Sequence, residues 1–273
     1  MIPPILVVGA PVLDEFEWVL DFLARQGETL VCEESAQSLI ERVAQEALIP
    51  RLTLLWRPVP ERDQSSEALA LKRAFPISPL LSILGSWCEG EGRTGSPEKN
   101  ASSLMWYDFV TMFPLEKFAW SHDFSSVWNL PESALPDAQI RWALRRSQHL
   151  HLEPIPPCAT WVETDDFELF RFFRDALSPS PTFGSFSTFD ELSLCVDDRV
   201  RRVVFDCPDW TPATQSCFVE VRARFPRAQV FAFLEFPRSH EWRQLEEFGA
   251  ARVFPKPFRL DDFYFAISEL EST

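Results

Sequence analysis

Asp206 closes one of the most strand-like stretches of the chain. Arg201-Arg202-Val203-Val204-Phe205-Asp206-Cys207-Pro208 is a β-branched apolar run ended by an acid and a proline, the pattern of a buried parallel strand. Asp165 and Asp166 follow a second apolar stretch, Ala159–Glu163, and Lys256 follows a third, Arg252–Phe254. Ligands and chemistry collect at the carboxyl ends of strands in open α/β sheets. Asp165, Asp206 and Lys256 are therefore expected to converge on one sheet edge. A second constellation is the stretch Gly85–Gly95, which holds four of the chain's eight glycines together with Trp87, Cys88, Glu89, Glu91, Arg93 and Thr94.

The elements that must carry these groups alternate between strand and helix. In the first half, Pro4–Val8, Glu28–Cys32, Leu52–Trp56 and Leu80–Leu84 are strand candidates, and Met105–Phe109 is the candidate fifth. Phe16, Val19, Leu20 and Leu23 fall at helical spacing with Gly27 as a stop, and Ser35 caps a helix carrying Leu39, Ile40 and Val43. The second half repeats the first. Arg51–Pro58 lies 150 positions before Arg201–Pro208, and the offset holds to Phe75-Pro76 against Phe225-Pro226. Trp56 stands where Asp206 stands. Such alternation predicts an α/β chain of two doubly wound parallel-sheet domains in tandem. The first is expected over 1–128 and the second over 158–273. Residues 129–157 would join them, with a helix over Asp137–Ser147 and a stiff, proline-rich stretch at Leu152–Pro157.

The second half resembles a response-regulator receiver domain of flavodoxin-like topology. The resemblance is carried by Gly249-Ala250 followed by Phe254-Pro255-Lys256-Pro257-Phe258, similar to the family's Gly-Ala…Lys-Pro-Phe signature. It implies Asp206 as phosphoacceptor, Asp165 or Asp166 in the metal-binding acid pair, and Lys256 as the lysine that balances the anionic product. Three carboxylates at neighbouring strand ends would hold Mg²⁺ through oxygen, and the metal would offset the charge of the incoming phosphoryl group. The chain departs from that pattern in two places. Thr164 falls at one acid-pair position, and Leu234, followed by Glu235, falls where the family has Ser or Thr. The first half departs further, with Gly9-Ala10 for the acid pair and Trp56 for the phosphoacceptor. These substitutions point to degenerate, pseudo-receiver domains whose remaining acids cap helices.

The Cys88 loop has the length of a rhodanese loop and is one residue shorter than that of a tyrosine phosphatase, both of which cradle anions beside a thiolate. Glu89 and Glu91 oppose that chemistry, because they raise a thiol pKa and repel anions. A recognition surface suits the loop better. Trp87 would pack, the glycines would allow tight turns, and Glu89, Glu91, Arg93 and Thr94 would meet a protein partner. The plainer alternative is an Arg93 paired within the loop.

Composition narrows the partners. A net charge of −15 opposes non-specific nucleic-acid binding. No apolar run reaches the roughly 18 residues of a membrane span. Six cysteines without a CxxC pair, behind an N-terminus that reads as a strand, suit a reducing, cytoplasmic setting. The expectation is a non-enzymatic signalling or scaffold protein of two pseudo-receiver domains that binds a protein partner and needs no cofactor. A phosphoacceptor receiver using Asp206 with Mg²⁺ is the first alternative, and a Cys88-dependent enzyme the second.

Overall fold

The computed structural model describes residues 3–60, 64–90, 100–122, 126–130, 158–188, 191–192 and 197–271. The chain divides into two compact units, Met1–Arg146 and Ser147–Thr273. The expected connecting segment falls mostly on residues 131–157, which lie outside the described residues, as does the expected helix over Asp137–Ser147.

In the first unit, β1 (Ile5–Val8), β2 (Leu30–Glu33), β3 (Leu52–Arg57), β4 (Leu80–Leu84) and β5 (Ser102–Met105) form one sheet in the order β2-β1-β3-β4-β5. Every pairing is parallel. The helices are α1 (Asp14–Arg25), α2 (Ala36–Glu46), α3 (Ser65–Ala74) and α4 (Trp106–Ser121). Helices cover both faces of such a sheet, which explains why Ile5, Leu6, Val7 and Val8 are all buried. Local signals fix the helix ends. Ser35 accepts a hydrogen bond from the Ser38 amide at the start of α2, and Gly27, at φ +75°, turns the chain after α1.

The fifth strand corrects the sequence expectation. It spans Ser102–Met105, and Trp106 begins a helix where a strand over Met105–Phe109 was expected. The reason is burial around most of the helix. Phe109, Val110, Met112, Phe113, Leu115, Glu116 and Ala119 are all buried, and Trp128 stacks on Phe109 at 5.5 Å between ring centroids. A helix buried on several sides shows no amphipathic period to read.

The second unit repeats the topology. Its strands are β6 (Ala159–Glu163), β7 (Thr182–Gly184), β8 (Val200–Cys207), β9 (Gln229–Glu235) and β10 (Arg252–Lys256), in the order β10-β9-β8-β6-β7. Counted within each unit, both sheets run 2-1-3-4-5 and all strands are parallel, which is the flavodoxin-like arrangement. Its helices are α5 (Phe167–Ala176), α6 (Pro212–Arg224), α7 (Ser239–Glu247) and α8 (Leu260–Glu271). Phe170, Phe173, Phe231, Phe233, Phe254 and Phe263 fill the core under α5 and α8. That core takes up much of the chain's phenylalanine excess, since these rings carry no polar end that needs water.

Candidate functional site

The strand order dictates what can meet at the carboxyl edge of the second sheet. β8 lies between β6 and β9, and β10 lies beyond β9. Asp206, next to last in β8, therefore neighbours the end of β6 directly, whereas Lys256 must reach across β9 from the end of β10. Adjacent strands are about 4.8 Å apart, so only a long side chain spans that gap.

Both carboxylate oxygens of Asp206 are engaged. Thr164, the residue after β6, donates its hydroxyl to Asp206 Oδ2 at 2.6 Å. Lys256 Nζ pairs with Asp206 Oδ1, and the two side chains are only 20% and 10% exposed. Lys256 also lies 3.5 Å from Glu235 Oε1 at the end of β9. Thr164 Oγ1 in turn accepts the Asp166 amide at 3.0 Å. The result is a continuous chain of contacts: Asp166 amide, Thr164, Asp206, Lys256, Glu235. Beside it, burial, with the nearby Asp206 and Glu241 charges, pushes the Cys207 thiol up to about 12, so it stays protonated.

Asp206 and Lys256 meet as their strand positions predict. The other two acids do not join them. Asp166 Oδ1 accepts the amides of Glu168 (2.8 Å) and Leu169 (3.2 Å) and so serves as the N-cap of α5. Asp165 is exposed and makes no hydrogen bond or ion pair among the described residues. Among the described residues no group of three or more His, Cys, Asp or Glu side chains is placed to hold a metal ion. The expected trio of Asp165, Asp166 and Asp206 around Mg²⁺ is thus not assembled, and the residues present do not fit that ion. A helix start competes for the Asp166 carboxylate, and a hydroxyl stands where the pattern needs a further acid.

The sequence marked Thr164 only as a departure from a pattern. The structure makes it the direct partner of Asp206. A threonine immediately after a buried strand, two residues before an N-cap acid, was the available signal. Phe236 gave no signal. It follows Glu235 at φ +45° and is exposed, an uncommon backbone conformation for a bulky residue.

At the corresponding edge of the first sheet, Trp56 occupies the Asp206 position. It is buried and stacks on Phe16 at 4.7 Å, with ring planes 12° apart. Gly85 holds three loops together there. A Cβ on it would stand 2.6 Å from Leu13 Cδ1 and 3.3 Å from the Pro58 carbonyl, and the next amide, that of Ser86, donates to Glu15 at 2.9 Å. Trp87 is 74% exposed, and Cys88 is buried with its thiol donating to the Arg57 carbonyl at 3.5 Å. The sulfur is therefore turned inward from the loop. Glu89 is half-buried. Glu91, Arg93 and Thr94 lie outside the described residues. No helix among the described residues is long and apolar enough to cross a membrane.

No protein-family model and no curated protein matches the sequence. Among solved structures, the chain is similar to a response regulator from Thermotoga maritima, at 16% identity over 42% of this chain and 98% of that one, with a TM-score of 0.36. It is also similar to a putative two-component system response regulator/GGDEF domain protein, at 11% identity over 98% of both chains and a TM-score of 0.36. A probable two-component system response regulator/GGDEF domain protein gives 11% identity, the same coverages and 0.34. At these identities and TM-scores the likeness carries no inference about activity, and the flavodoxin-like assignment rests on the strand order of the two sheets.

Proposed function

We propose that the chain is a non-enzymatic signalling or scaffold protein, in which two pseudo-receiver domains present surfaces to a protein partner. The observation that carries this reading is the state of Asp206. One oxygen is taken by Thr164 and the other by Lys256, with Asp166 committed to a helix cap. A carboxylate that attacks a phosphoryl group needs a means of offsetting the charge of that group, and among the described residues no set of three acids is placed beside Asp206 to hold a metal ion for that purpose. The buried Trp56 supports the same reading for the first unit. The exposed Trp87, beside a loop that Gly85 stitches to its neighbours, is the partner-facing group of that unit. A cytoplasmic location belongs to the proposal. Cys32, Cys88, Cys158, Cys207 and Cys217 form no disulfide, as a reducing compartment favours.

The test is direct. The protein is incubated with Mg²⁺ and acetyl phosphate and then weighed intact. The expected result is an unchanged mass. A phosphoryl adduct that disappears in Asp206→Asn would establish the phosphoacceptor alternative, for which the Asp206–Lys256 pair is the favouring observation. Partner capture from cell extract, with Trp87→Ala as the comparison, tests the recognition surface.

A further inference from the structure

Three loops meet at the carboxyl edge of the first sheet, and each offers an apolar side chain to water. They follow β1, β3 and β4 and carry Val12, 65% exposed, Val59, 40% exposed, and Trp87. Gly85 is where they meet. A side chain there would collide with Leu13, next to Val12, and crowd the carbonyl of Pro58, next to Val59. Scattered apolar residues on a surface need no explanation, but three on abutting loops form a patch.

Both neighbours of Trp87 are anchored. The Ser86 amide donates to Glu15 at 2.9 Å, and the Ser86 hydroxyl accepts the Trp106 indole N–H at 3.3 Å. On the other side, the Cys88 amide donates to the Gly85 carbonyl at 2.9 Å, and the Cys88 thiol to that of Arg57. An exposed indole between two fixed neighbours loses little freedom when a partner covers it. The fold does not require this patch. By the repeat, Val59 corresponds to the exposed Asp209, and Val12, aligned through Asp14–Glu17 and Asp165–Glu168, corresponds to Glu163.

The surroundings of the patch are acidic. Asp14 and Glu17, in the first turn of α1 just after Val12, are exposed, and their carboxylates make no hydrogen bond or ion pair among the described residues. The described residues of the three loops carry one cation, Arg57, which is buried with its guanidinium on the Pro60 carbonyl. In the sequence, the adjoining stretches 61–63 and 91–99 hold four acids against three bases, so they do not reverse the sign. An acidic rim repels nucleic acid and anionic lipid and attracts a cationic protein segment.

We propose that this edge binds a basic amphipathic segment of a partner protein. An apolar side chain of that segment seats against Trp87, Val12 and Val59, and lysines or arginines beside it face Asp14 and Glu17. The inference rests on the scaffold reading above and names the partner class for Trp87. Fluorescence anisotropy tests it with the full chain and a labelled peptide of leucine and lysine, patterned as a basic amphipathic helix. The expected result is saturable binding that Trp87→Ala weakens by about ten-fold or more, with an unchanged circular-dichroism melt. Val59→Asp, the residue that the second unit carries there, should also weaken it. Asp14→Asn with Glu17→Gln should weaken it and flatten its salt dependence. No saturable binding overturns the proposal. So does binding that Trp87→Ala leaves intact, or equal binding of the same peptide with glutamate for lysine. The scaffold reading is judged separately, by the intact mass after acetyl phosphate: a failed peptide with an unchanged mass removes the partner class alone.

Discussion

Thr164 and Asp206 are joined by a hydroxyl-to-carboxylate hydrogen bond of 2.6 Å, from the end of β6 to the end of the neighbouring β8. A hydroxyl that donates to a carboxylate satisfies one oxygen without adding charge, and Lys256 then neutralises the other. The edge of the second sheet is thus held together by its own residues.

The Asp206–Lys256 pair should behave as a partly buried ion pair whose partners depend on each other. Lys256→Met leaves the Asp206 carboxylate largely buried without a counter-charge. It should cost about 2 kcal/mol, below the roughly 3–5 kcal/mol of a fully buried pair because some solvent reaches both groups. In an Asp206→Asn background the same change should cost much less. Urea denaturation of the four proteins in this cycle checks it. Additive losses would mean that the pair contributes nothing.

Asp166 should act as a cap. Asp166→Ala removes the acceptor for two amides at the start of α5 and should cost about 1 kcal/mol, while Asp166→Ser or Asp166→Asn should recover most of it. Asp165→Ala, at an exposed and unpaired position, should change stability by less than about 0.5 kcal/mol. Thermal melts of the four variants distinguish the two neighbouring acids.

Restoring an acid to the first unit should not restore a site. Trp56→Asp removes a buried indole stacked on Phe16 and buries a carboxylate in its place. The loss should exceed about 4 kcal/mol, since cavity and desolvation penalties add. The expected outcome is a first unit unfolded at ambient temperature, with no gain of phosphoryl uptake, read by near-ultraviolet circular dichroism and intact mass.

Asp108 should set a pH dependence. It lies in the first turn of α4, and burial raises its carboxyl to about 7 from an ordinary value near 3.8. Between those values the folded chain holds a proton that the unfolded chain has released. Stability therefore falls as pH rises through this window, and the loss is complete above about 7. Asp108→Asn should flatten this part of the profile and raise stability at pH 8 relative to the natural chain. Denaturation midpoints at pH 5 and pH 8 test the sign. A difference between pH 5 and pH 8 that Asp108→Asn leaves unchanged, or makes more unfavourable at pH 8, would contradict it.

One-sided burial leaves a period in a helix and two-sided burial leaves an unbroken apolar run in a strand, and that is why the buried strands, α1, α2, the Ser35 cap and the Gly27 stop were legible from residues alone. The repeat, with Trp56 at the Asp206 position, and the placement of Asp206 and Lys256 at strand ends were equally legible. Helix α4 was not, because it is buried on several sides and so carries no period. Strand order decided the rest. Placing β8 between β6 and β9 made Thr164 the neighbour of Asp206 and required Lys256 to span β9. The competition for the Asp166 carboxylate was settled by the amides at the start of α5, whose hydrogen bonds exist only once that helix has formed. The patch around Trp87 likewise belongs to the tertiary structure: its loops follow β1, β3 and β4, and only the sheet brings them to one edge.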